Sequence, residues 1–273
     1  MAPPKHYSAA LALVAGALLL AVAACRETVA GTTVRLNPRT FTGADEAAIA
    51  ERLFAADWRA ANVPLLVPGA PGYSERADAY LAPVLDQLVE QAGVTRRDSF
   101  DWRVRLVLGA EEHAYALPGG QLVIHTGFLH ALDNEAEYAG VLARAVALAE
   151  QGAAMAAYDR AVEDNVLLGD LILGNDETDF AQLIHLATAV RYTPEELAAA
   201  DSLAAELVCP SNYRHEALTD AVAGIPEGTA YRLAHPAPAG WDSAFAERVA
   251  NCVGTDSLYA HRYREMLRRA VPN

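Results

Sequence analysis

The chain has 273 residues, 53% of them hydrophobic, and its 35 acidic side chains against 21 basic ones give a formal net charge of −14. That apolar content builds a core and excludes an intrinsically disordered chain, and the length suits one sizeable domain or two small ones. The acidic balance excludes a nucleic-acid partner, whose phosphates it repels, and leaves no basic patch for anionic lipids.

Residues 1–25, MAPPKHYSAALALVAGALLLAVAAC, begin with Lys5 and His6 and continue as an apolar run over 9–24. The run is shorter than the roughly 20 residues of a spanning helix, and its basic start, apolar middle and small-residue end describe a secretory signal. Its end, Val22-Ala23-Ala24-Cys25, resembles a bacterial lipobox, in which the cysteine becomes the lipid-modified first residue. An ordinary signal cut near Ala24 and an uncleaved anchor are the alternatives. The resemblance implies a lipid anchor on Cys25 at the periplasmic side of a bacterial cell envelope. Arg26, where an aspartate would direct retention at the inner membrane, points to the outer one. The expected organisation is a lipoprotein signal peptide over 1–24, a tether over 25–43 and a folded domain over 44–273.

Within the domain, helical spacing of apolar residues predicts helices over 45–62 and 74–93, with Ser74 as N-cap and Gly93 as C-cap of the second. The only β region follows. WRVRLVLG (102–109) alternates as a strand, and HAYALPGGQLVIHTG (113–127) reads as strand, Pro-Gly-Gly turn, strand. The rest is helical: a long helix from Glu135 capped by Asn134, then segments over 155–173, 177–190, 194–208, 212–223, 242–253 and 256–270. This pattern predicts a single α+β domain, mostly helical, with a small antiparallel sheet. In an oxidising compartment Cys209 and Cys252 can close a disulfide around a loop of about 40 residues, or stand as two buried thiols.

The block from His113 to Leu148 is similar to the HtpX and CAAX-prenyl-protease family of zinc metallopeptidases. The family pattern is N-A-x-A-x-P-G-G, a strand, T-G-L-L, and N-E-x-E-L-A-x-V-L-A-H-E-x-x-H. This chain has His113-Ala114-Tyr115-Ala116-Leu117-Pro118-Gly119-Gly120, then Thr126-Gly127-Phe128-Leu129, then Asn134-Glu135-Ala136-Glu137-Tyr138-Ala139-Gly140-Val141-Leu142-Ala143. YTPEELAAAD, from Tyr192, resembles the family's later Y-S-R-E-x-E-x-E-A-D, and His235-Pro236 echoes its T-H-P. The resemblance implies a zincin-like fold. It also implies that 114–120 is the edge strand and turn along which the family aligns extended substrates.

The chemistry of such a fold rests on two histidines at i and i+4 of one helix, a later glutamate as third zinc ligand, and a glutamate base beside the first histidine. Carried over residue by residue, the first histidine falls on Arg144, the base on Ala145, the second histidine on Leu148 and the ligand glutamate on Ala199. Asn134, Glu135, Glu137 and Asp201 are retained. A guanidinium repels Zn²⁺, and alanine and leucine cannot bind it. Glu195 and Glu196 lie about one turn, roughly 5 Å, from Ala199, and His215-Glu216 begins an H-E-x-x-H pattern that ends in Thr219. His125 and His130 stand outside any ligand spacing.

Three readings follow. The leading one is a pseudoprotease that binds extended polypeptide or a partner protein, with no zinc; in it Arg144 either substitutes for the metal by holding Asp201 or another acid of the old site, or turns outward to solvent. The second is an active zinc metalloendopeptidase in envelope protein quality control with relocated ligands. The third is a purely structural envelope lipoprotein.

Overall fold

The computed structural model describes residues 42–55, 58, 62–163, 188–253 and 257–272. The signal segment, Cys25, the tether up to residue 41 and the predicted helical stretches over 164–187 lie outside the described residues. The described chain belongs to the compact unit Phe41–Asn273.

Helix α1 (Gly43–Ala55) opens where the Asp45 carboxylate accepts from the Thr42 backbone N–H at 2.8 Å. After the two-residue strand β1 (Leu65–Leu66), helix α2 (Glu75–Val89) starts at Ser74, whose hydroxyl accepts from Ala77 N–H, as its sequence position predicts. It ends at Glu90 rather than at Gly93. Gly93 serves close packing instead: a Cβ there would sit 2.8 Å from Leu203.

Strands β2 (Arg103–Val107), β3 (Ala114–Leu117) and β4 (Gln121–His125) join β1 in a four-stranded sheet of order β1-β2-β4-β3. The expected antiparallel sheet is corrected here to a mixed one, because β2 and β4 run parallel, pairing Arg103 with Gln121 through Val107 with His125. The chain passes β2, crosses to the outside to form β3, and turns back at Pro118–Gly120 so that β4 enters between them. Local alternation identifies the strands but not the slot each takes. The turn needs its glycines. Both have positive φ, and a Cβ on Gly119 would meet Ala50 of α1 at 2.5 Å.

Thr126-Gly127-Phe128-Leu129 is no simple turn but the start of helix α3 (Thr126–Ala131). Helix α4 (Glu135–Glu150) then runs through the centre, buried on nearly every side. Its Asn134 cap accepts from Glu137 N–H at 3.0 Å, while Glu137 accepts from Asp133 N–H at 2.8 Å, so each end of the pair satisfies a helix-start donor. Gly140 lets α7 (Ala217–Gly224) approach, since a Cβ there would lie 2.8 Å from the Leu218 nitrogen. The remaining helices are α5 (Ala153–Glu163), α6 (Pro194–Val208), α8 (Ala230–Ala234), α9 (Trp241–Val249) and α10 (Ala260–Ala270). The helix expected over 212–223 starts five residues later, because 212–216 forms a connection bridged to Ser257 through Tyr213. None of the described helices is long and apolar enough to cross a membrane.

Cys209, at the end of α6, and Cys252, after α9, are joined by a disulfide with an S–S distance of 2.10 Å. Replacing Cys209 by serine is expected to lower stability by about 2–4 kcal/mol. In urea denaturation, reductant should lower the midpoint of the parent chain and leave that of Cys209→Ser unchanged.

Candidate functional site

The i, i+4 spacing places Arg144 and Leu148 on one face of α4, and both are buried. That face meets α6, which a capping box of Thr193 and Glu196 starts and Pro194 favours at its first turn. Arg144 is not turned to solvent. Its side chain is 1% exposed, and it grips Asp201 of α6 with two parallel bonds, Nε to Oδ1 at 2.7 Å and Nη2 to Oδ2 at 2.9 Å. The pairing expected of this arginine is therefore present. Trp241, at the start of α9, donates its indole N–H to Oδ2 of the same carboxylate and lays its ring 4.8 Å from the guanidinium carbon. Burial works against the charge of Arg144, while Tyr231 and Asp201 favour it, and the balance raises its pKa. Nη1 and the Tyr231 hydroxyl are nonetheless both buried without a hydrogen bond of normal geometry.

The carried-over position on α6 lies on its outer face. Ala199 is exposed, and its carbonyl accepts from the Gln151 side chain. The buried side of α6 instead carries Leu197, Ala200, Asp201 and Ala204. A side chain at 199 points away from α4, whereas Leu197, one turn before Asp201, lies on the inner face. Of these two positions, only Leu197 faces the interior. Ala145, at the position of the base, is the one partly exposed residue between Val141 and Glu150.

This set does not fit zinc. It offers a guanidinium and two leucines on the facing sides of α4 and α6, where nitrogen, sulfur or carboxylate donors are required, and both oxygens of Asp201 are committed to Arg144. The alternative ligands do not converge either. Glu196 is held by Arg160 at 2.7 Å, and His215 and Glu216 precede α7 rather than sharing a helical face. Among the described residues, no group of three or more His, Cys, Asp or Glu side chains could hold a metal ion.

The chain matches the model of peptidase family M48 over residues 75–240. It belongs to that family. A comparison with curated proteins found no match. The retained motif residues of this M48 chain act as frame. Glu135 is buried and accepts from the Tyr213 hydroxyl at 2.8 Å, from the Tyr80 hydroxyl, and from Arg262 through two donors. It thereby ties α2, α4 and α10 together.

β3 is the sheet edge, as the family resemblance implies, and all four of its residues are buried. His125 N–H donates to His113 C=O at 3.0 Å, so in the antiparallel alternation Ala114 and Ala116 direct their main-chain groups to the free side. The Tyr192 hydroxyl occupies that side. It donates to Ala116 C=O at 3.1 Å and receives Ala116 N–H at 3.2 Å. Glu112 C=O accepts from Tyr231 N–H. Two residues from the chain's later half thus stand where an added strand would bind. Tyr192 was visible as the start of the second motif, but nothing in the sequence indicated this contact, and Trp241 carried no signal at all.

His235 lies against Tyr231 and Tyr192, its Nδ1 within 3.0 Å of Tyr231 C=O. Burial, reinforced by Arg144, pushes its pKa well below the usual histidine value. His113 is lowered by burial to about 4.

Replacing Arg144 by alanine leaves Asp201 charged in the core, so Arg144→Ala is expected to cost about 3–5 kcal/mol. The double variant Arg144→Leu/Asp201→Leu should recover most of that loss, a coupling that urea denaturation of the full cycle measures. For His113, the folded pKa lies below the unfolded one, so the unfolded chain binds the proton first. Stability is then full above about pH 6.5 and falls as pH drops towards about 4, by on the order of 1 kcal/mol per unit. In metal-free buffer, His113→Asn should flatten that part of the stability profile.

Proposed function

We propose that this M48 member is a non-catalytic envelope lipoprotein, anchored through Cys25, that binds extended polypeptide or a partner protein along β3. The observation that carries the reading is the buried Arg144–Asp201 pair, which places a fixed cation and a committed carboxylate where the family's metal chemistry would be. A general base is missing as well, since Ala145 has no proton acceptor. The anchor rests on the Val22-Ala23-Ala24-Cys25 ending, and Arg26 favours the outer membrane.

Main-chain pairing at a sheet edge needs no catalytic group, so this capacity survives loss of the metal. At this edge, an incoming strand must displace the Tyr192 hydroxyl from Ala116. Tyr192 therefore acts as an internal competitor for the main-chain groups the ligand uses.

The test pairs cleavage with capture. The purified full chain should leave unfolded casein intact, and chelator-sensitive cleavage would defeat the reading. Fluorescence anisotropy with labelled unfolded casein should show binding that Tyr192→Phe tightens about 3- to 10-fold, the effect of removing a competing hydrogen bond or two. Absence of binding in both proteins counts equally against it.

A further inference from the structure

We propose that the open edge of β2, beside the end of β1, docks an extended polypeptide segment that carries a basic side chain. This edge is at the other end of the sheet from β3. The site therefore goes beyond the β3 reading and does not depend on it.

β1 is too short to cover its neighbour. Its two residues pair Leu65 with Val107 and Leu66 with Leu106, while β2 begins at Arg103. Leu108 N–H donates to Pro64 C=O at 2.9 Å, so every second residue of β2 turns its main chain towards β1. Leu106 is met there by Leu66. Val104 is the next in the series, and among the described residues no strand meets its N–H and C=O on that side. The register, if continued, would set Pro68 against it. The chain turns away at 67–70 instead, with Ala70 N–H donating to Val67 C=O at 2.8 Å, and Pro68 has no N–H to give. A donor and an acceptor on an open edge are the template for an added strand.

The open stretch borders a groove. A cavity of about 260 Å³ lies between the start of β2, the turn after β1, and α2. Leu81 and Leu85 of α2 line it together with Val104, an apolar wall for a side chain of the added strand. Trp102 lines the same groove, and its indole N–H is buried without an acceptor. Buried donors are normally satisfied, and a carbonyl of an incoming segment is an acceptor of the right kind.

The rim sets the charge of the ligand. Asp78 and Asp86 of α2 line the groove, and Asp86 is exposed and enters no ion pair among the described residues. The arginines of the lining are engaged elsewhere. Arg103 is held by Asp101 at 2.8 Å, and Arg105 donates to the Gln121 side chain at 2.9 Å. A formal net charge of −14 adds a long-range field of the same sign as the two aspartates. Side chains two apart on a strand share a face. A lysine two places from an apolar residue thus meets the α2 carboxylates while its neighbour fills the groove.

The probe is the fluorescein-labelled heptapeptide TVTKTVT, which sets valine and lysine on one face. By anisotropy it should bind the purified full chain, and TVTETVT should bind at least about threefold more weakly. Val104→Pro should weaken binding at least about tenfold, because it removes the outward N–H and leaves the β2–β4 pairing intact. Asp86→Asn should weaken it about two- to fivefold, and Asp242→Asn, on α9, should leave it unchanged. In the parent chain, bound probe should slow amide hydrogen exchange at Val104, a reading that does not depend on how the proline variant folds. Lack of binding, equal affinity for the acidic peptide, or protection of Ala116 in place of Val104 overturns the site. So does a dimer of the free chain that Val104→Pro dissociates, since the occupant is then a second copy. Casein capture reports on β3 and is scored separately.

Discussion

The Arg144–Asp201 pair joins the two helices that carry the family's chemistry. Both side chains lie in the core, at 1% and 4% exposure, where an unpaired charge of either sign would be expelled or would unfold the helix that holds it. The bidentate geometry and the Trp241 indole satisfy both carboxylate oxygens, so α4, α6 and the start of α9 are fixed in one mutual arrangement. In a zinc enzyme, the metal performs this service by drawing ligands from two helices to one point. Here the guanidinium of Arg144 joins the same two helices through Asp201.

The same logic explains which motif residues remain. Asn134 and Glu137 satisfy donors at the start of a helix that has no solvent to turn to, and Glu135 receives two tyrosine hydroxyls and an arginine. Gly119 lets α1 lie over the turn after β3. Each of these positions is needed for α4 to sit in the core, whether or not the helix binds metal. Arg144, Leu148 and Leu197 lie buried between α4 and α6, and Ala145 is partly exposed.

The edge of the sheet is less settled by that frame. Tyr192 supplies one hydroxyl to both main-chain groups of Ala116, a smaller contact than a paired strand provides. Tyr192 is itself buried, with its ring against His235 and the start of α6 immediately after it. The facing histidines lie just beyond the same strand, so β3 has polar features at both ends that its apolar sequence, Ala-Tyr-Ala-Leu, does not suggest.

Much was legible without coordinates. Periodicity located α2, α4 and α6, and local caps marked the starts of the first two at Ser74 and Asn134. The family motifs singled out Arg144, and its charge made a carboxylate partner the expectation if it was buried. Sequence by itself therefore determined the α+β class, the family and the central helix, since these depend on residues within a few positions of one another. Tertiary structure alone decided the parallel pairing of β2 with β4, the place of Leu197 rather than Ala199 on the inner face, the Trp241 contact, and the occupation of the β3 edge by Tyr192. Those contacts join residues far apart in the chain, and they are set by how whole helices and strands pack together rather than by the preference of any short segment.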